Sequence, residues 1–485
     1  MDLNKNYIPD NLKSIHLIAA CGTGMGALAC MLKDAGFAIT GSDRKVYPPI
    51  STFLAARGIN LSDGFSADNV SYGPDLVIVG NAVRRDNPEA VRMMEMGLPF
   101  CSMPQAVGSV FANGSVFAKK KKTLLITGTH GKTTTASIIA WILHEAGRYE
   151  SKWDPSFIIG GILKNFDSNY RVGQGDYIVI EGDEYDTAFF DKGAKFLHYD
   201  PFMTVLTSVE FDHADIFKDL DHVKRTFKTF LNGISSKSSL FAFDNDVNID
   251  TLVVNGKFRL EKYGRKESSE WRLADIEIDP PWTKFRILKH EGKATAFKTS
   301  MMGEHNLLNA SAAIAIAHSL HIPLEIIQKA VATFQGIKRR QEVRGVKNHI
   351  TVMDDFAHHP TAVRETIRAV KPYYPDGRVI AVFEPRTNSS MRKVFQDVYP
   401  LSFDFADIIC IRKPPLLNKI PYDDRFSSKK LVEDVKTRNR DAYYFQNTED
   451  IIAFLIKEAK PKDLILIMSN GGFDNIHERL LNGEL

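Results

Sequence analysis

Lys122-Thr-Leu-Leu-Ile-Thr-Gly128-Thr-His-Gly-Lys132-Thr-Thr-Thr135 decides how this chain is read. A short apolar strand breaks into a glycine-rich turn. Ala136-Ser-Ile-Ile-Ala-Trp-Ile-Leu follows, apolar at helical spacing. Successive backbone N–H groups at such a turn form an anion cradle, and the helix N-terminus adds partial positive charge. Gly128, Thr129, His130, Gly131, Lys132, Thr133 and Thr134 are therefore nucleotide-binding candidates. Lys132 would reach the outer phosphates, and the Thr133 hydroxyl would ligate Mg²⁺. The loop is shorter than the usual G-x-x-x-x-G-K-[ST]. Where the first glycine should stand there is Ile126, still inside the strand.

Strand–helix alternation continues on both sides and predicts an α/β chain built from parallel sheets. A first block runs from strand Ser14–Ala20 through a glycine turn and a helix near Met25–Ala35 to strand Ala38–Ser42, with a later strand at Leu76–Gly80. The second holds the phosphate loop and strands at Tyr177–Ile180 and Met203–Ser208, an antiparallel insertion over about 240–300, and a helix over Leu307–Leu320. The third opens near Ile350 and carries strands at Val379–Phe383, Ile408–Ile411 and Leu464–Met468. We expect three domains: 1–118, 119–343 and 344–485. A chain of 485 residues fits this count.

Composition narrows the function classes. Net charge is +3, too small to call for nucleic acid or a membrane surface. The run Lys119-Lys-Lys-Lys122 reads as a solvated linker. Four cysteines show neither metal spacing nor a disulfide framework, which fits a reducing cytoplasm. Met1-Asp-Leu-Asn-Lys-Asn has no apolar signal core, and no apolar run approaches the roughly 20 residues that cross a bilayer.

Ligands of open parallel sheets gather at the carboxyl ends of strands. Three polar clusters follow three strands of the second block: the phosphate loop, Glu181-Gly-Asp183-Glu184-Tyr-Asp186, and Glu210-Phe-Asp212-His213. If those strands share a sheet, the carboxylates converge on the nucleotide and its Mg²⁺. Farther on, Gly303-Glu-His305-Asn306-Leu-Leu-Asn309 starts a helix with Asn306 and Asn309 on one face; capping of that helix is the alternative role. Lys338-Arg339-Arg340 stands at a domain junction, where an arginine could act on a transferring phosphoryl group as domains close. Asp354-Asp355-Phe-Ala-His358-His359-Pro360 follows a strand and reads as substrate and nucleotide contacts rather than a metal pair. In the first block Cys21-Gly22-Thr23-Gly24-Met25-Gly26, with Asp43, approximates a dinucleotide fingerprint. It suits NAD, another diphosphate, or a tight turn, so an NAD-dependent oxidoreductase is the competing class.

Together these motifs resemble the Mur ligases, the ATP-dependent enzymes that build the peptide of bacterial cell-wall precursors. The resemblance spans nearly the whole chain. It rests on T-G-T-H-G-K-T-T-T at Thr127–Thr135, H-N-x-x-N-A-x-A-A at His305–Ala313, R-R-x-E at Arg339–Glu342 and D-D-F-x-H-H-P-T at Asp354–Thr361. It also accounts for the shortened loop. Two branches share the last motif: one adds L-alanine to UDP-N-acetylmuramate, the other attaches the recycled tripeptide L-Ala-γ-D-Glu-meso-diaminopimelate. The chain is closer to the second, through Val46-Tyr47-Pro48-Pro49, Gly80-Asn81-Ala82, Phe383-Glu-Pro-Arg386 and Met468-Ser-Asn-Gly-Gly-Phe473, among others. Thr387-Asn-Ser-Ser-Met-Arg392 departs from that branch's wording, and Lys228 is not assigned as the carbamylated lysine of other members.

The resemblance implies a UDP-sugar-binding first domain, with Gly22, Thr23, Gly24, Met25, Asp43 and Asn81 on the substrate and His130 reaching it from the loop. It implies a central ATP domain in which Thr133, Glu181 and His213 hold Mg²⁺. Lys132, Glu181, His213 and Arg340 would be catalytic, while His305, Asn306, Asn309, Arg340 and Asp355 would contact ATP. His358 and Arg386 would meet the incoming peptide. The partners implied are these small molecules, on a monomer or weak homodimer.

Overall fold

The computed structural model describes residues 2–46, 50–112, 120–289, 292 and 294–483. Tyr47-Pro48-Pro49, Lys119 and the junction expected at 118–119 lie outside the described residues. Three sheets follow one another along the chain. The first holds β1 (Ser14–Ile18), β2 (Ala38–Asp43), β3 (Asn60–Asp63), β4 (Leu76–Val79) and β5 (Phe100–Ser102), all parallel, in the order β3-β2-β1-β4-β5. Apolar side chains fill β1 and β4 because helices cover both faces of such a sheet.

The central sheet has ten strands: β6 (Lys122–Thr127), β7 (Ser156–Leu163), β8 (Ser168–Arg171), β9 (Tyr177–Gly182) and, beyond a hairpin of β10 (Asp186–Ala188) and β11 (Asp191–Ala194), β12 (Pro201–Leu206), β13 (Ser239–Phe243), β14 (Arg259–Gly264), β15 (Trp271–Asp279), β16 (Trp282–Lys289) and β17 (Ala294–Thr299). Their order is β17-β16-β15-β14-β13-β12-β6-β9-β7-β8. β6 therefore stands between β9 and β12, parallel to both, so the three polar clusters leave neighbouring strand ends. The antiparallel insertion expected over about 240–300 is shorter. β13 and β14 extend the sheet in parallel, because the helix Val247–Val253 carries the chain back between them. Of the strands in that span only β15–β17 pair antiparallel, as β7 and β8 do at the other edge, and they continue the same sheet.

The basic run is only in part the solvated linker expected: Lys120 is exposed outside any element. Lys121 is buried and donates to the carbonyls of Gly173 and Gly175, at 2.9 and 2.6 Å, and Lys122 opens β6.

The third sheet comprises β18 (Glu342–Lys347), β19 (Ile350–Asp355), β20 (Val379–Phe383), β21 (Ile408–Arg412), β22 (Asp441–Phe445) and β23 (Leu464–Met468), ordered β18-β19-β23-β20-β21-β22. β18 is antiparallel to β19 and begins two residues ahead of the expected domain start. Apolar clusters cover both faces of this sheet. No described helix is long and apolar enough to cross a membrane.

Candidate active site

The phosphate loop turns at two glycines with left-handed backbone, Gly128 at φ +123° and Gly131 at φ +83°. Gly131 then caps the helix Lys132–Gly147. A Cβ on Gly131 would stand 2.4 Å from Asn309 Oδ1, so the helix Glu304–Ser319 packs directly against the loop. Asn309 Oδ1 also accepts from the Thr135 hydroxyl at 3.2 Å. Its amide donates to Asn306 Oδ1, and Asn306 donates in turn to Gln341 Oε1 at 3.1 Å. The two asparagines thus share a face, and they tie loop to hinge with their amides. Neither His305 nor Asn306 caps the helix, because Gly303 holds that position at φ +90°.

Thr129 and His130 differ from the simple cradle. The N–H of Thr129 donates to the Ser208 carbonyl and that of His130 to Ser208 Oγ, both at 2.9 Å. Thr129 Oγ1 accepts from the Glu210 N–H at 2.9 Å. The segment after β12 runs alongside the loop and takes these donors. The cradle is left to the first-turn N–H groups of Lys132, Thr133 and Thr134, which lack intrahelical acceptors.

Lys132 Nζ donates to the Gly128 carbonyl at 2.5 Å and to Glu184 Oε2 at 3.1 Å, with Asp183 Oδ1 at 3.8 Å. Burial opposes its charge, but Glu184 and Asp183 outweigh burial and raise its pKa. Sequence reasoning placed both acids in the right cluster without giving either a role. Their pairing with Lys132 follows from the β6–β9 adjacency.

The Thr133 hydroxyl donates to Glu181 Oε2 at 3.1 Å, and Glu181 Oε1 accepts from the Gly160 N–H at 2.7 Å. Burial, with the Asp183 charge added, pushes the Glu181 carboxyl above its ordinary range. A cation would relieve that penalty, and hydroxyl and carboxylate oxygens are the donors Mg²⁺ takes. Thr133 and Glu181 therefore fit the expected ion. His213, at φ +51°, aims Nε2 at Glu184 Oε1, 3.9 Å away, and its ring lies against Tyr185.

The third domain enters from the other side. His358 Nε2 lies 3.8 Å from Asp212 Oδ2; burial opposes the Asp212 charge, but His358 together with His213 and His359 holds its carboxyl well below the usual range. Among the described residues, His130, Glu210 and His359 bring ligand-type atoms within 4.8 Å of one another. Two of the three are engaged: Glu210 Oε2 accepts from the Thr361 hydroxyl at 2.7 Å, while His359 Nε2 meets the Phe211 carbonyl at 3.1 Å and Nδ1 accepts from the Thr361 N–H at 3.2 Å. His130 Nε2 is buried without a hydrogen-bond partner, 3.5 Å from Glu210 Oε2. The trio is a clasp between the central and third domains.

At the hinge, Arg339 at φ +62° is anchored to the carbonyls of Ser469 and Gly471, at 2.6 and 2.7 Å. Arg340 has no ion pair among the described residues; it lies over the Phe356 ring at 5.0 Å and close enough to ease the buried Asp355 charge. Asp355 accepts from the N–H groups of Gln341 and Ala357, at 2.8 and 2.7 Å. Arg386 sits 3.6 Å from the buried Glu384 and against Gly471. Lys228 is exposed on the helix Leu220–Gly233.

The first-domain candidates form a separate group. Asp43 Oδ2 accepts from the Cys21 N–H at 2.8 Å, closing the turn that Gly22 leaves open, since a Cβ there would meet nothing within 4 Å. Thr23 and Gly24 start the helix Thr23–Asp34, Met25 is buried, and Asn81 is exposed just past β4. No hydrogen bond among the described residues joins this group to the phosphate loop. Among the described residues it meets the central domain through the Thr23 carbonyl, which accepts from Asn169 at 3.2 Å, and through packing of the helix Thr23–Asp34 against β7 and β8.

Comparison with known proteins finds three family models in succession along the chain. The Mur ligase family catalytic domain matches residues 14–114, the Mur ligase middle domain 126–317, and the Mur ligase glutamate ligase domain 339–471. The chain is 36% identical over 470 residues to the UDP-N-acetylmuramate–L-alanyl-γ-D-glutamyl-meso-2,6-diaminoheptandioate ligase of Escherichia coli, covering 97% of this chain and 98% of that one. It is 32% identical to the UDP-N-acetylmuramate–L-alanine ligase of Caldanaerobacter subterraneus, covering 97% and 98%. The crystal structure of a murein peptide ligase from Psychrobacter arcticus superposes with TM-score 0.72 at 33% identity, covering 97% and 98%. The glycine turn of the first block thus lies inside a Mur ligase domain, and the oxidoreductase reading has no support. Matched domain by domain from one end to the other, the chain belongs to the Mur ligase family.

Proposed function

We propose that this chain is the ATP-dependent ligase that joins UDP-N-acetylmuramate to the recycled tripeptide L-Ala-γ-D-Glu-meso-diaminopimelate in peptidoglycan recycling. The observation that carries the choice of amine is the ranking of relatives. Two ligases named for that peptide are 36% and 35% identical, while the alanine ligases reach 32%.

The residues act as follows. The sugar's lactyl carboxylate attacks the γ-phosphate, ADP departs, and an acyl phosphate forms. The peptide amine then attacks the acyl carbon, and phosphate leaves with the C–O bond. Both steps bring anions together, so the chain's task is to place positive charge in a site shielded from water. Lys132 lies where the outer phosphates would rest, and the first-turn N–H groups of its helix add to it. Thr133 and Glu181 would hold Mg²⁺, with His213 beside Glu184 for a second ion. Bound magnesium supplies charge neutralisation on the phosphates. Arg340 approaches from the hinge, while His305, Asn306, Asn309 and Asp355 shape the nucleotide side. Asp212 and His358 would line the approach of the amine, where the ionised Asp212 would accept a hydrogen bond from the amino group and orient it. Gly22, Thr23, Gly24, Asp43 and Asn81 would cradle the UDP moiety.

The test is phosphate release from ATP with UDP-N-acetylmuramate and either amine. Release with the tripeptide and its absence in Lys132→Ala is the expected result. Release with L-alanine alone would transfer the chain to the other branch.

A further inference from the structure

A second concavity lies on the carboxyl edge of the third sheet, with no role in the steps above. Its volume is about 370 Å³, and Lys393, Lys413, Arg425, Lys429, Tyr422 and Tyr444 are among its walls. No carboxylate lines it. None of its four cations has an ion pair among the described residues, whereas adjacent basic residues do: Arg392 with Asp424, Arg412 with Glu384, Lys430 with Asp434. Arg425 is steadied by the Ile420 carbonyl at 2.9 Å and by the Tyr422 ring, and Lys429 lies over the Tyr444 ring at 5.4 Å. Four like charges facing one cleft without counter-charge repel one another, and a ligand with several anionic groups removes that repulsion.

The pocket is stitched to the reaction site. Ser389 Oγ accepts from the Ala214 N–H at 3.1 Å and Asn388 donates to Asp215 at 2.8 Å, just past His213. The same loop continues into the pocket wall, where the Met391 carbonyl accepts from Phe426 N–H at 2.9 Å and Gln396 Oε1 accepts from Ser427 N–H at 2.8 Å. Lys393 stands four residues beyond Ser389. Four residues of chain span at most about 14 Å, and a tripeptide spans roughly 10–11 Å before its γ-linkage and long terminal side chain lengthen it.

We infer that this pocket holds the distal carboxylates of the incoming peptide, those of its diaminopimelate residue, while the peptide's amino end lies at Asp212 and His358. The inference rests on the tripeptide reading above. L-Alanine carries its carboxylate beside the amine and cannot reach the pocket. Specificity for the longer amine is then an electrostatic measure of length.

The experiment compares wild type with a Lys393→Gln/Lys413→Gln/Lys429→Gln variant, using the tripeptide and the same peptide amidated at both diaminopimelate carboxylates. All three lysines are exposed, so the fold tolerates their neutralisation. The expected result is a rise of about tenfold or more in KM for the free-acid tripeptide, from the loss of charge-assisted contacts. KM for ATP and for UDP-N-acetylmuramate stays in place, and the wild-type preference for free acid over amide disappears. A single Lys413→Glu variant repeats the measurement if the triple variant melts early. Wild-type tripeptide turnover with no KM change in either variant would overturn the pocket assignment and leave the ligase reading intact. Wild type that uses only L-alanine would overturn both.

Discussion

His305 and His359 are held as neutral imidazoles, both pushed down to about 4 by burial, from an ordinary 6.5. The unfolded chain therefore takes up these protons first. Stability is full above about 6.5 and falls as pH drops toward 4. Glu210, lowered to about 2 against burial by His130 and its neighbours, continues the loss at lower pH. We expect the melting temperature to fall by a few degrees between about pH 7 and pH 5, and the His305→Asn variant to lose part of that slope. Parallel melting curves for the two proteins across that range would remove His305 from the account. At this scale the sequence was informative where chemistry follows a local pattern. Lys132, Thr133 and Glu181 were legible because each stands at a strand end or helix start. Glu184 on Lys132, and Asp212 on His358, were not, since each pairing joins segments whose closeness only the sheet order or domain contact creates. Asn306 and Asn309 were recognisable as a shared helix face, yet their hold on the loop and on Gln341 leaves no mark in spacing.

Among elements, two glycine turns make contrasting demands. Gly128 has φ +123°, and a Cβ would fall 2.3 Å from Thr207 Oγ1 and 2.8 Å from the Ser208 backbone nitrogen. Gly128→Ala should therefore cost about 1–3 kcal/mol and abolish nucleotide binding, read by chemical denaturation and by titration with ATP. Gly22 has φ −70° and open space around its missing Cβ. Gly22→Ala should fold normally and weaken UDP-sugar binding, because only a ligand needs that space. Wild-type affinity in Gly22→Ala would take the turn out of the sugar-nucleotide site. The strand–turn–helix pattern made both turns visible in advance. The parallel run of β13 and β14 was missed because short helices such as Val247–Val253 resemble loops in sequence.

For the whole molecule, the clasp of His130, Glu210, His359 and Thr361 is the polar seam between central and third domains, and Asn388–Asp215 extends it. Thr361→Val removes one bond to Glu210 and leaves each domain's core intact. Turnover should fall roughly tenfold, consistent with one lost hydrogen bond to a charged group, and small-angle scattering should report a wider separation of domains. Unchanged scattering and turnover would make the seam incidental. Three domains were readable from alternating strands and helices. Their mutual contacts were not, because domain interfaces carry no periodicity of their own.

Lys132 begins with its partners already in place: a carbonyl of its own loop and the Glu184 carboxylate. An arriving phosphate is therefore a competitor before it is a ligand. Its entry exchanges one anion for another around a fixed ammonium, so the net charge change at the lysine is small. The displaced carboxylate is not lost to solvent, for it stands beside His213. Phosphate entry and the release of Glu184 toward His213 then become a single exchange.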